Sequence, residues 1–117
     1  MAARRISAKK RSSMSRGSCL CGEVEFELVR AAGREMDCHC SRCRRAHSSV
    51  HASSIFVDAR KFRWLHGEEQ VSSGGVPQDC HFGSAFCRSC GSALPRLVRS
   101  VGIVVVPSGT VTQSAAG

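Results

Sequence analysis

Two cysteine pairs constrain this chain more than any other feature. Cys19 and Cys21 stand one residue apart near its start, and Cys87 and Cys90 stand two residues apart near its end. Zinc takes four ligands in a tetrahedron, and cysteine thiolates are among its preferred donors. In Cys87-Arg88-Ser89-Cys90-Gly91 the pair forms a knuckle with both sulfurs on one side, and the glycine permits a turn at positive φ. A CxC pair can present both sulfurs on one face where residues i and i+2 share it. Together the pairs make a closed four-thiolate site, Cys19, Cys21, Cys87 and Cys90. Such a site ties the beginning of the domain to a segment more than sixty residues later. A redox CxxC would need to open a helix in a βαβ context. Gly91, Pro95 and the lack of helical periodicity argue against that.

The middle cluster differs. Cys38-His39-Cys40-Ser41-Arg42-Cys43 offers three thiolates in one short stretch. Three ligands and an open position are the layout of a catalytic zinc. Three thiolates leave the centre with a net charge of −1, a poor promoter of water ionisation. Such a centre can still bind and deprotonate an incoming thiol. Arg42, Arg44 and Arg45 are candidates to hold the carboxylates of an anionic substrate. The structural alternative completes this site with His39, His47, His51 or Cys80. Otherwise Cys80 reads as a small buried residue, and His66 and His81 as surface or satisfied strand histidines.

The chain has 117 residues, enough for one domain. Five Phe, one Trp and no Tyr make a thin core that gains from metal staples. Six of the seventeen basic residues fall in residues 1–17, which contain no acid. The remainder has eleven bases against nine acids, a net charge of +2. Residues 1–16 therefore read as a basic, Ser-rich, disordered leader, or as an overcalled start with translation beginning at Met14. The same composition suits a transit peptide, or a nuclear-import or nucleic-acid patch. No apolar run is long enough for a membrane span, and no secretory h-region precedes the domain. The expectation is a cytoplasmic protein, with nuclear or organellar import left open by the leader. In such a reducing compartment clustered cysteines serve as metal ligands or catalytic groups more often than as disulfides.

Order is expected from about Ser18. Val24, Phe26 and Leu28 alternate with Glu23, Glu25 and Glu27, the period of a half-buried strand. Residues 31–34 read as a turn, and residues 37–47 as a metal loop ending in a short helical turn. Strands are expected at 54–57, around Phe62 and Trp64, and at 82–86. The Ser-Ser-Gly-Gly stretch of 72–77 reads as a loop. Val101 to Val106 is a β-branched run stopped by Pro107, and predicts a buried central strand. The fold class is mainly β.

These motifs appear in a known order. Gly17-Ser18-Cys19-Leu20-Cys21-Gly22 precedes a Val24, Phe26 strand, and Asp37 to Arg45 carries the middle cluster. Phe86 to Ser92 carries the CxxC, followed by Leu94-Pro95 and by Val104 to Thr110. The chain resembles the glutathione-dependent formaldehyde-activating enzyme (GFA) and centromere protein V family over about residues 17–110. The resemblance implies a β-tent of small twisted antiparallel sheets. It implies two zinc ions, a structural one on Cys19, Cys21, Cys87 and Cys90 and a second on Cys38, Cys40 and Cys43. The founding activity joins glutathione and formaldehyde to give S-hydroxymethylglutathione, a carbon–sulfur lyase chemistry. Members usually continue past the Gly109-Thr110 motif with an aromatic-bearing strand, so a truncated C-terminus is expected here.

The domain is thus expected at 17–117, with an enzyme activity of the carbon–sulfur lyase type. Its partner is a small thiol such as glutathione, its cofactor is zinc, and it needs no membrane. The rival function is a non-catalytic module with two structural zincs, whose basic tail binds nucleic acid or chromatin.

Overall fold

The alternation of residues 24–28 forms the seed of the core. In a computed structural model that describes residues 14–76 and 79–112, Glu25–Val29 is a strand, β2. Of residues 75–76 and 79–82 only the backbone is described. Val24, Phe26 and Leu28 are wholly buried. The glutamates face outward, where Glu27 accepts a 2.6 Å hydrogen bond from Arg63 and Glu25 meets His66 at 3.2 Å. β2 lies between β1 (Met14–Ser18) and β5 (Phe62–His66) in an antiparallel sheet. Phe26, Phe62 and Trp64 form a cluster with ring centroids 5.1–6.0 Å apart, two of the three contacts edge-on. Such packing adds to simple area burial.

The second sheet has the order β3-β4-β10-β9, with β3 at Arg34–Cys38, β4 at Ala52–Asp58, β9 at Arg96–Val98 and β10 at Ile103–Pro107. One face carries Ile55, Val57, Val104 and Val106, all buried. These pack with Phe26 and Leu28 of the first sheet and with Ala85, Cys87 and Leu94 of the third. The third sheet is β6 (Val71–Val76), β7 (Asp79–Cys87) and β8 (Ala93–Leu94). The architecture is mainly β, three short antiparallel sheets around one core. Its single α-helix among the described residues, α1, spans Ser41–His47. No helix among them is long and apolar enough to cross a membrane.

Four elements differ from the sequence reading. Residues 14–16, counted with the leader, belong to β1. Gly17 is buried against Phe26, and Thr112 donates to the Arg16 carbonyl at 2.8 Å. Residues 34–38 form a strand although no hydrophobic alternation marks it, because β4 supplies the full backbone ladder. Residues 71–76 are a strand and not a loop, since β7 pairs with them from Val71 to Val76. The run at 101–106 begins its strand at Ile103. Val101, 66% exposed, sits in the preceding turn, where Gly102 takes φ +66°. Residues 1–13 of the leader, Pro77, the side chains of Cys80 and His81, and residues 113–117 lie outside the described residues.

Candidate metal centres and the cavity beside them

The first cysteine cluster joins two turns of matching construction. After β1 the chain folds back at Cys19-Leu20-Cys21-Gly22. There the Gly22 N–H donates to the Cys19 carbonyl at 3.2 Å, and Gly22 takes φ +83°. After β7 it folds at Cys87-Arg88-Ser89-Cys90-Gly91. The Gly91 N–H donates to the Cys87 carbonyl at 2.8 Å, with φ +79°. Only glycine adopts this left-handed backbone at little cost. Ser92 laces the turns together: its Oγ accepts from the Leu20 N–H at 2.9 Å and lies 3.2 Å from Cys90 Sγ.

The four sulfurs of Cys19, Cys21, Cys87 and Cys90 all lie within 4.8 Å of one another. Cys19 Sγ is 3.6 Å from Cys21 Sγ, and Cys21 Sγ is 3.9 Å from Cys87 Sγ. A tetrahedron with Zn–S bonds of about 2.3 Å has S–S edges of about 3.8 Å. The donor set and its spacing fit zinc. Electrostatics agree: Ser92 holds the Cys90 thiol down to about 5 through side-chain and backbone hydrogen bonds. Burial raises the Cys19 thiol, and so does Cys90, but the Val24 N–H and the thiols of Cys21 and Cys87 outweigh them and the net shift is downward. The Cys21 thiol is instead raised to about 12. The Glu23 backbone lowers it, but burial and its thiol neighbours together prevail. A divalent cation resolves this competition by stabilising every thiolate.

The second cluster sits where β3 gives way to α1. Cys38 ends the strand, Cys40 caps the helix and Cys43 lies in its first turn. Cys40 Sγ accepts from the Cys43 N–H at 3.4 Å, the main reason its thiol is lowered to about 7. Burial and the two neighbouring sulfurs push Cys43 up to about 12. The three sulfurs lie within 4.8 Å of one another, and among the described residues no histidine or carboxylate joins them. His39, His47 and His51 therefore do not complete the set, and the side chain of Cys80 lies outside the described residues. Three thiols suit the same soft metal as the first cluster, with one position left over. A network braces the approach to β3: Ser53 Oγ donates to Asp37 at 2.6 Å, and the His39 and His51 rings lie 5.1 Å apart.

This cluster opens on a cavity of about 770 Å³, with Cys38 and Cys43 in its wall. Its floor is the face of the second sheet opposite the core, including Ser54, Phe56 and Val105. Leu94, Phe86 and Met36 add apolar wall, and the last two are partly exposed. From α1, Cys43, Ala46 and His47 face the cavity, the i, i+3, i+4 stripe of one helix face. Arg42, Arg44 and Arg45 fall off that stripe. They are exposed and do not line the cavity. The cationic side chain in its wall is Arg96 of β9. Sequence reasoning missed Arg96 because only the sheet register brings β9 to the cavity. The one local signal was its place directly after Pro95, where the chain leaves the third sheet for the second.

Comparison with known proteins gives a consistent result. The family model described as "Glutathione-dependent formaldehyde-activating enzyme" matches residues 14–116. No curated protein matches the chain. Among solved structures, a Rhodobacter sphaeroides protein is similar, with a TM-score of 0.62 and 26% sequence identity. The match covers 87% of this chain and 94% of that one.

Proposed function

The chain belongs to the glutathione-dependent formaldehyde-activating enzyme family, and on that premise we propose that it is a zinc-dependent carbon–sulfur lyase acting on a glutathione adduct such as S-hydroxymethylglutathione. The observation that carries this reading is that the Cys38, Cys40 and Cys43 cluster puts two of its cysteines, Cys38 and Cys43, in the wall of a 770 Å³ cavity. Pockets that enclose small organic ligands have volumes of about 300–1,000 Å³. A purely structural site has no need of such a cavity.

In this reading Cys19, Cys21, Cys87 and Cys90 hold a structural zinc, and Cys38, Cys40 and Cys43 hold the second. Zinc bound there would supply a fourth position that favours a sulfur in its thiolate form. The chain's own residues do the remaining work. Phe56, Val105 and Leu94 form a largely apolar wall that displaces water from the substrate. Ser53 holds Asp37, and through it the end of β3 and Cys38, in a fixed orientation. Held in this cavity, sulfur and aldehyde react as near neighbours. The sulfur lone pair forms the new S–C bond to the carbonyl carbon. The C=O π pair moves to oxygen, which takes up the proton the thiol gave up, and the product is the hemithioacetal. The reverse direction breaks the same S–C bond.

Exchange NMR between free glutathione and its formaldehyde adduct tests this directly. The zinc-loaded protein should accelerate exchange above the spontaneous rate, and Cys40→Ser should return it to that rate while the domain stays folded. An unchanged exchange rate with fully zinc-loaded protein would exclude the activity.

A further inference from the structure

The sheet register sets a distance between the second cysteine cluster and the cation across the cavity. Cys38 pairs with Ala52, Phe56 with Val105, and Val105 with Arg96. Cys38 and Arg96 therefore stand on the outermost strands of the second sheet, three strand spacings apart and four residues displaced along it. At about 4.8 Å per strand and 3.3 Å per residue, their Cα atoms are roughly 20 Å apart. Both side chains line the cavity, and the cysteine and the longer arginine span part of that distance. What remains is about the length of a short peptide, at 3.3–3.6 Å per residue.

Arg96 of β9 is the arginine in the cavity wall. It is half-buried, and among the described residues its side chain makes no ion pair or hydrogen bond. Its side chain lies over β7 at Gly83, where an added Cβ would come 3.4 Å from its Cδ and 3.5 Å from its Nη1. The carboxylate in the cavity wall, Asp37, is at the other end and already engaged by Ser53. A guanidinium in a mostly apolar wall is a strong receptor for a carboxylate, which it can bind through two parallel N–H donors.

We propose that Arg96 anchors a carboxylate of the thiol substrate at the far end of the cavity, so that the site selects a peptide-sized acidic thiol over a short or neutral one. This assignment rests on the cavity being the substrate site of the proposed function. It gives the carboxylate-binding role to β9, and not to Arg44 and Arg45 on the exposed faces of α1.

Two ligands separate the anchor from the metal chemistry. S-methylglutathione keeps both carboxylates and has no thiol to offer a metal. Titrated by calorimetry into the zinc-loaded full chain, it should bind about tenfold to a hundredfold more weakly to Arg96→Ala than to wild type. Arg96→Lys should recover part of the loss, and Arg44→Ala should leave the affinity within about twofold. In cobalt-substituted protein, Arg96→Ala should weaken the spectral response to glutathione by a similar factor and leave that to 2-mercaptoethanol unchanged. Equal weakening for both thiols would overturn the assignment, since Arg96 would then be supporting the fold. Undiminished S-methylglutathione binding to Arg96→Ala, or none to wild type, would also overturn it. A cobalt spectrum indifferent to every thiol would instead defeat the reading of the Cys38 cluster, while the calorimetric comparison still decides the role of Arg96.

Discussion

Replacing Cys87 by serine should unfold this domain near body temperature, and the structure supplies the magnitude. Cys87 is wholly buried, and its sulfur lies 3.9 Å from that of Cys21, 66 positions earlier. A metal bridging them closes a loop of that length. Treated as a cross-link, it removes chain entropy from the unfolded state worth about 4 kcal/mol. The serine hydroxyl left in the emptied site adds about 1–3 kcal/mol if unpaired. The whole stability of a domain this size is about 5–15 kcal/mol. The second cluster gives the control, because Cys38 and Cys43 are only five positions apart. The same relation gives about 2 kcal/mol for that loop. At about 4–8 °C per kcal/mol, Cys87→Ser should lower Tm by about 15 °C or more beyond the effect of Cys40→Ser. Thermal unfolding followed by circular dichroism, with zinc counted in each variant, reads both quantities. Equal losses of Tm in the two variants would refute the division into a fold-determining and a local centre. So would a Cys87→Ser protein that loses one zinc and keeps the wild-type Tm.

The remaining expectations concern the metals and the backbone. A chelator should strip zinc in two steps: first from the Cys38 cluster, where Cys40 is exposed, with near-UV circular dichroism unchanged. The second step, from the cluster holding buried Cys19 and Cys87, should coincide with unfolding. Gly17→Val should cost about 1–3 kcal/mol or more in urea unfolding, because even a Cβ there would strike the Phe26 ring and come within 2.8 Å of the Thr110 carbonyl. Gly67→Ala should destabilise too, since residue 67 has φ +83° and a Cβ would strike the Glu23 carbonyl.

What could be read from the sequence was what its local pattern dictates. Val24, Phe26 and Leu28 announce β2 by alternation, and both glycine-terminated cysteine turns are written in five or six consecutive residues. The elements that escaped reading owe their structure to a partner. Ser72 to Gly75 has the composition of a loop and becomes a strand because β7 pairs with it. Residues 34–38 are almost wholly exposed and carry no apolar stripe, so only the β4 ladder makes them a strand. Met14 to Arg16 look like leader by charge, yet they complete a sheet beside β2. The same division holds at the site. The thiols of Cys38, Cys40 and Cys43 are neighbours in sequence and were found there. The arginine that faces their cavity is more than fifty residues away and reaches it through three strands. The adjacent arginines of α1 were the natural guess, and helical periodicity turns them off the cavity-facing stripe.

The central claim is that the Cys38 centre has a position for an incoming sulfur while the Cys19 centre is closed. Cobalt in place of zinc reports it, because the visible spectrum follows the number of sulfur ligands. Cobalt loaded into the Cys40→Ser variant should give the signature of the four-thiolate centre, unmoved by glutathione. The wild-type protein should show an additional centre with three sulfurs, whose spectrum shifts to a four-sulfur form as glutathione is added. A wild-type spectrum that already shows four sulfurs at both centres, and does not change with glutathione, would contradict the account.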